Sequence, residues 1–338
     1  MATVTLTNAY DNDVWLPDLL GFSQSDLADN GGTVTVQRGA TRATVVNPTS
    51  SAGFLQIEAT GTGFLYGPDD RPVGGTVTGF SVSINGAVWM TITGLDVELS
   101  DLDHWMFGWE RWGQERPGDG FNLMSFLLAG NDTIFGSDND DDIIGGRNIG
   151  NDVINAGGGF DWIKADAGND TIDGGSGRDT YTLEETFYDP GAYRGAVVNL
   201  ATGVATDSWG GTDSLTSIER VIGSRMSDRF TGGAGDEQFA GLRGNDTING
   251  GGGSDTVRYD RDAQYGGVAG VNVNLATGIA IDGWGNTDRL SNIEHVRGTA
   301  MGDVLTGNGQ DNYLQGGRVS IRSAAVWGRI RRISGVTM

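Results

Sequence analysis

A nine-residue beat of glycine and aspartate constrains this chain more than any other feature. It is first clear between Leu127 and Thr182, reading LLAGNDTIF, GSDNDDDII, GGRNIGNDVIN, AGGGFDWIK, ADAGNDTID and GGSGRDTYT. The shared form is GGxGxDxUx, where U is apolar. Glycine permits backbone with φ > 0 and tight turns. Aspartate offers hard oxygen to a hard cation. The apolar residue supplies one increment of core per unit. A phased repeat of this sort implies units that stack, each covering its neighbour's apolar face.

In such a unit six residues make a turn and three make a short strand. The U residues Ile134, Ile143, Ile154, Ile163, Ile172 and Tyr181 then point into the space between two layers. The chain reverses at each turn, so turns two repeats apart lie side by side and eighteen residues form one coil. The expected fold is all-β, a C-terminal parallel β-roll, since parallel strands buried on one face suit a row of Ile and Val.

Position six of the repeat carries Asp132, Asp141, Asp152, Asp161, Asp170 and Asp179 in the first block, and Asp228, Glu237, Asp246, Asp255 and Asp303 further on. Asp152 with Asp170, and Asp161 with Asp179, have the regular spacing for one carboxylate from each turn to face a shared gap. Two bare carboxylates there repel, and a cation resolves the repulsion. Carboxylates, together with the carbonyls that glycines such as Gly150, Gly159, Gly168, Gly177, Gly244 and Gly253 leave exposed, suit several Ca²⁺ ions better than Mg²⁺, which demands tighter octahedral geometry. A plain reading, in which the aspartates only make Asx-turns, explains single aspartates but not their phase. Units with Glu237 or Asn312 at position six, and GGRNIGNDVIN with two extra residues around Asn148–Ile149, are expected to give weaker sites or none.

The rest of the chain divides around the repeats. Residues 1–96 alternate apolar and polar in short runs bounded by turn residues, a β-rich module read as a small sandwich or curled sheet. Residues 97–126, rich in Trp, read as a short helical cap over the open end of the roll. Residues 127–182 form the first block. A connector at 183–222 is duplicated at 260–297. Between them lies block two at 223–259, and a truncated third block spans 298–317. Within the duplication Leu200 maps to Leu275, Trp209 to Trp284, Asp213 to Asp288 and Glu219 to Glu294. Residues 318–338 hold five arginines and no acid and break the pattern. Two readings of them stay open, an atypical basic tail and a stretch out of frame.

The nonapeptides resemble the RTX (haemolysin-type) calcium-binding repeat family from Leu127 to about Gly317, and the connectors resemble segments found between RTX blocks. The resemblance implies a roll that folds on calcium outside the cell. It also implies export by type I secretion machinery through an uncleaved C-terminal signal, which residues 318–338 do not resemble.

Composition narrows the remaining choices. Lys and Arg number 22 against 44 acids, a net charge of -22, which disfavours nucleic acid and anionic membranes and attracts divalent cations. There is no Cys, so thiolate chemistry is excluded. The first residues lack a Sec-type signal pattern, and no apolar run is long enough for a transmembrane segment. HExxH and GxSxG are both missing. Of the two histidines, His295 matches Arg220 in the duplication, and His104 reads as a surface or packing residue. Carboxylates such as Glu58, Asp96, Glu98 and Asp101 are available for glycosidase chemistry, but none stands out. The favoured reading is a secreted, extracellular calcium-binding protein with no catalytic residues, its N-terminal module contacting an extracellular polysaccharide or a cell-surface component. The alternative is a small secreted hydrolase or polysaccharide-modifying enzyme with its active site in that module.

Overall fold

A computed structural model describes residues 3–6, 35–38, 42–50, 53–66, 72–84, 86–98, 130–144, 150–164, 167–184, 191–316, 318–322 and 330–334. Of the helical cap expected over 97–126, Val97 and Glu98 end the strand Ala87–Glu98 instead, and the rest, with His104 and its tryptophans, lies outside these residues. The described chain is nearly all β; its only helical element in the repeat region's second half is a 3-10 turn at Asp262–Tyr265. It divides into two units, Met1–Asp161 and Trp162–Met338.

In the first unit, alternating apolar residues build an antiparallel sheet. Thr35–Arg38, Arg42–Ser50, Gly53–Tyr66, Pro72–Ile84 and Ala87–Glu98 pair in sequence order. Phe80, Val82, Met90 and Ile92 are buried on one side. Among the described residues these strands form one antiparallel sheet. The ladder bulges near Gly75, whose φ is +114 and where a Cβ would stand 2.7 Å from the Gly63 carbonyl oxygen; glycine is required there. Thr3–Leu6 closes the sheet antiparallel to Ala87–Glu98 and runs parallel to Thr133–Phe135, the first repeat strand. That strand pairs in parallel with Val153–Asn155.

In the second unit the chain shuttles between two sheets. One is wholly parallel: Trp162–Lys164, Thr180–Thr182, Arg220–Ile222, Gln238–Ala240, Thr256–Arg258, His295–Arg297, Asn312–Gly316 and Ile330–Ser334. The facing sheet includes Thr171–Asp173, Arg229–Thr231, Thr247–Asn249 and Gly302–Thr306. The middle residue of each three-residue strand points inward, as the period of two in a strand requires. Ile163, Ile172, Tyr181, Phe230, Phe239, Ile248 and Val257 are all buried. Phe230 and Phe239, from opposite sheets, stack with ring centroids 6.1 Å apart. This is a parallel β-roll over the repeats.

The connectors are woven into the roll. Val197–Asn199, Val204–Thr206 and Thr212–Thr216 add an antiparallel turn-back to the facing sheet, and Asn272–Asn274, Ile279–Ile281 and Thr287–Ser291 repeat it. The parallel sheet receives only one strand from each connector. Two described strands within 318–338, which breaks the sequence pattern, nevertheless extend both sheets: Arg318–Arg322 pairs with Gly302–Thr306 and Ile330–Ser334 with Asn312–Gly316, both in parallel.

Candidate metal centre

Each position-six acid but Asp303 stands immediately before its strand, at the edge of a turn; Asp303 is the second residue of Gly302–Thr306. From Asp132, Asp141, Asp170, Asp179, Asp228, Glu237, Asp246 and Asp255 the backbone N–H donates to the carboxylate of a neighbouring coil. Within the second unit Asp228 N–H reaches Asp246 Oδ1 at 2.8 Å and Glu237 N–H reaches Asp255 Oδ1 at 2.8 Å, both pairs 18 residues apart. Within the first, Asp132 donates to Asp152 and Asp141 to Asp161, both 20 apart. The difference of two is the insertion in GGRNIGNDVIN. The pairs Asp152/Asp170 and Asp161/Asp179 have one member in each unit.

All eleven predicted acids are buried. One oxygen of each pair is held by the ladder. The other oxygens of Glu237, Asp246, Asp255 and Asp303 are buried and accept no hydrogen bond. Glycines crowd the same places. A Cβ on Gly250 would lie 1.9 Å from the Asn292 carbonyl oxygen and 2.5 Å from Asp255 Oδ2. One on Gly223 would lie 2.4 Å from Asp228 Oδ2 and 2.7 Å from the Gly241 carbonyl oxygen. At position four, Gly253 has φ +112, and its Cβ would meet the Gly235 carbonyl oxygen at 1.8 Å. Carbonyl and carboxylate oxygens thus converge where side chains are missing.

The electrostatics report the same strain. Burial, then the carboxylates of Asp228 and Asp288, raise Asp246 far above the ordinary carboxylate range. Burial raises Asp228, Glu237, Asp255 and Asp303 as well. An uncompensated buried carboxylate is costly, and a cation or a proton removes the cost. Among the described residues, no three His, Cys, Asp or Glu side chains gather closely enough to hold a metal alone. Any cation here draws on backbone carbonyls, a donor set of the calcium type.

Four acids of the connectors, absent from the sequence-predicted set, join the ladder. Asp170 N–H donates to Asp213 Oδ1 and Asp246 N–H to Asp288 Oδ1, each at 3.0 Å. Asp179 N–H donates to Glu219 Oε2 at 3.0 Å and Asp255 N–H to Glu294 Oε2 at 2.9 Å. The duplication alignment had paired these residues; their spacing of six instead of nine within each connector hid their role. Beside the parallel sheet the column of position-six residues Asp179, Glu219, Glu237, Asp255, Glu294 and Asn312 continues through both connectors. Beside the facing sheet the turn-backs interrupt it, and there Ala196 and Val271 donate to Asp228 and Asp303 from positions bearing no acid.

Two departures from the repeat resolve differently. Glu237 Oε1 accepts from Gly235 N–H at 3.1 Å and leaves Oε2 without a partner, as an aspartate would. Asn312 satisfies itself: its Oδ1 accepts from Asn308 N–H, and its Nδ2 donates to the Glu294 carbonyl. His295 is structural. Its Nδ1 accepts from Tyr313 N–H at 3.1 Å, so Nε2 carries the proton toward Ser254 Oγ at 2.7 Å. Glu58 is engaged by Arg42 at 3.0 Å.

The model of the RTX calcium-binding nonapeptide repeat matches the chain in four copies, at residues 128–149, 147–181, 222–263 and 294–318. No curated protein matched the chain. Repeats of this family bind calcium, and the matched segments contain every one of the predicted position-six acids.

Proposed function

We propose that this chain, which carries RTX calcium-binding nonapeptide repeats, is a secreted protein whose roll folds on binding Ca²⁺ outside the cell and supports a non-catalytic interaction module at its N-terminus. The observation that carries the reading is the recurrence of one arrangement: a buried position-six carboxylate with one oxygen in the ladder and the other beside glycine and carbonyl. Asp228/Asp246 and Glu237/Asp255 would hold calcium in block two, with Asp303 contributing beyond it. In the first block the residues are Asp132, Asp141, Asp152 and Asp161, then Asp170 and Asp179. The connector acids Asp213, Glu219, Asp288 and Glu294 extend the set.

Extracellular calcium explains why such a chain tolerates this burial. Binding energy becomes folding energy because the site does not exist in the unfolded chain. RTX repeat proteins are usually secreted, and among the described residues no helix is long and apolar enough to cross a membrane. Single substitutions test the residue assignment. Asp255→Ala should raise the calcium concentration at the folding midpoint by about tenfold, the order expected on losing a charged ligand. Asp138→Ala, at exposed position three of its unit, should leave it unchanged. Equal midpoints for the two variants would remove the position-six assignment.

A further inference from the structure

The outer face of the parallel sheet in the second unit is basic in a chain with twice as many acids as bases. Arg220, Gln238, Thr256, His295 and Tyr313 occupy one register row across five neighbouring strands. At about 4.8 Å per strand the row is roughly 19 Å long. Arg258 and Arg297 are direct register partners in the adjacent row. Burial, followed by the guanidinium groups of Arg258, Arg178, Arg261 and Arg297, pulls the Arg220 guanidinium down to about 10. Arg220, Arg258 and Arg297 thus stand on three strands of one sheet.

Some of them already hold carboxylates. Asp260 takes Arg258 in a two-point fork, Nε at 3.0 Å and Nη2 at 2.7 Å, and its Oδ2 also stands 4.0 Å from Arg297 Nη1, a looser pair that leaves Arg297 open to a second carboxylate. Glu184 stands 3.8 Å from Arg261, which lies over the Trp162 ring at 4.4 Å. Arg220 and Arg178 have no acidic partner among the described residues, and Arg220 Nε is buried without an acceptor. Among the described residues its side chain makes one long hydrogen bond, 3.4 Å from Nη1 to Thr180 Oγ1.

We propose that this face binds a linear acidic polysaccharide, whose carboxylates pair with Arg220 and Arg297. Guanidinium groups take carboxylates with planar, two-point geometry, and Asp260 shows that geometry on this face. The partly buried ring of Tyr313 in the same row offers an amphipathic surface to a sugar ring. A row of polar side chains spanning several strands suits an extended polymer better than a compact anion. The site requires the folded roll and so rests on the calcium reading, but it lies on the sheet face and not at the turns. Without these arginines the chain's net charge would repel such a polymer.

The test uses the full chain in saturating calcium and measures its affinity for a galacturonate oligomer, a neutral glucose oligomer and tripolyphosphate. The expected result is binding of the galacturonate oligomer that weakens with salt, with little binding of the other two. Arg220→Gln with Arg297→Gln should weaken that binding at least tenfold while the calcium-dependent circular dichroism stays the same. That spectroscopic control separates loss of this site from failure of calcium-coupled folding. Undiminished binding by the double variant, or equal binding of the neutral oligomer, would overturn the proposal. Tighter binding of tripolyphosphate would overturn the polysaccharide assignment.

Discussion

At the scale of single residues, two tyrosines show how specifically the connectors are tied into the acid ladder. Tyr181 hydroxyl donates to Asp213 Oδ2 at 2.5 Å, and Tyr259 hydroxyl donates to Asp288 Oδ2 at 3.0 Å. Asp213 and Asp288 are equivalent in the duplication, but the tyrosines are not. Tyr181 occupies the apolar position of its nonapeptide and is followed two residues on by Leu183. Val257 occupies that position in the second copy and is followed two residues on by Tyr259. The exchange keeps one hydroxyl on the same carboxylate oxygen from two different positions. Where other ladder acids leave their second oxygen beside the glycines, these two give it to a phenol. Tyr259→Phe keeps the packing and strips the donor from a buried carboxylate, so it should cost about 1–3 kcal/mol in chemical denaturation at saturating calcium. A cost near zero would mean that this hydroxyl is incidental. The pairing was illegible in the sequence because Tyr181 at an apolar position reads as core, which is half of what it does, and Tyr259 falls just past its nonapeptide.

At the scale of elements, the nonapeptide was the most legible part of the chain. Its apolar position gave the inward residues, its aspartate gave the buried turn acids, and its two-residue insertion reappears as a spacing of 20 in place of 18. The connectors were legible as a duplication but not as repeat strands, because two antiparallel strands interrupt the beat and the acids are six apart. The 318–338 segment hid its strands for a different reason: register pairing with the preceding coil needs no glycine–aspartate signature. Glycine is the element-level constraint most open to test. At Gly253, φ +112 strains any side chain, and a Cβ would stand 1.8 Å from the Gly235 carbonyl oxygen. Gly253→Ala should destabilise the calcium-loaded roll by at least about 1–3 kcal/mol, read as a lower thermal midpoint. Gly309, where a Cβ would meet open space, should accept alanine with little change in that midpoint.

At the scale of the whole molecule, buried acids dominate the electrostatics. Without metal, Asp213 and Asp288 are pushed up to about 7 and Asp262 to about 8, with burial the largest cause in each case. Their ordinary value is 3.8, so between these limits the folded chain holds protons that the unfolded chain releases. Stability from these groups is complete below about pH 4 and is lost as pH rises through 7 to 8. Metal-stripped protein should therefore keep more β structure near pH 4 than near pH 8, read by far-ultraviolet circular dichroism, and saturating calcium should erase the difference. More β structure at pH 8 than at pH 4 without metal would reverse that sign.

Calcium and protons thus compete for one task, neutralising carboxylates that the fold buries in columns. The most direct measurement is a calcium titration of the metal-stripped full chain at neutral pH, followed by circular dichroism. The expected result is a roll largely unfolded in chelator that gains β signal cooperatively as calcium is added. A spectrum already that of the folded roll in chelator, and unchanged by calcium, would contradict the account.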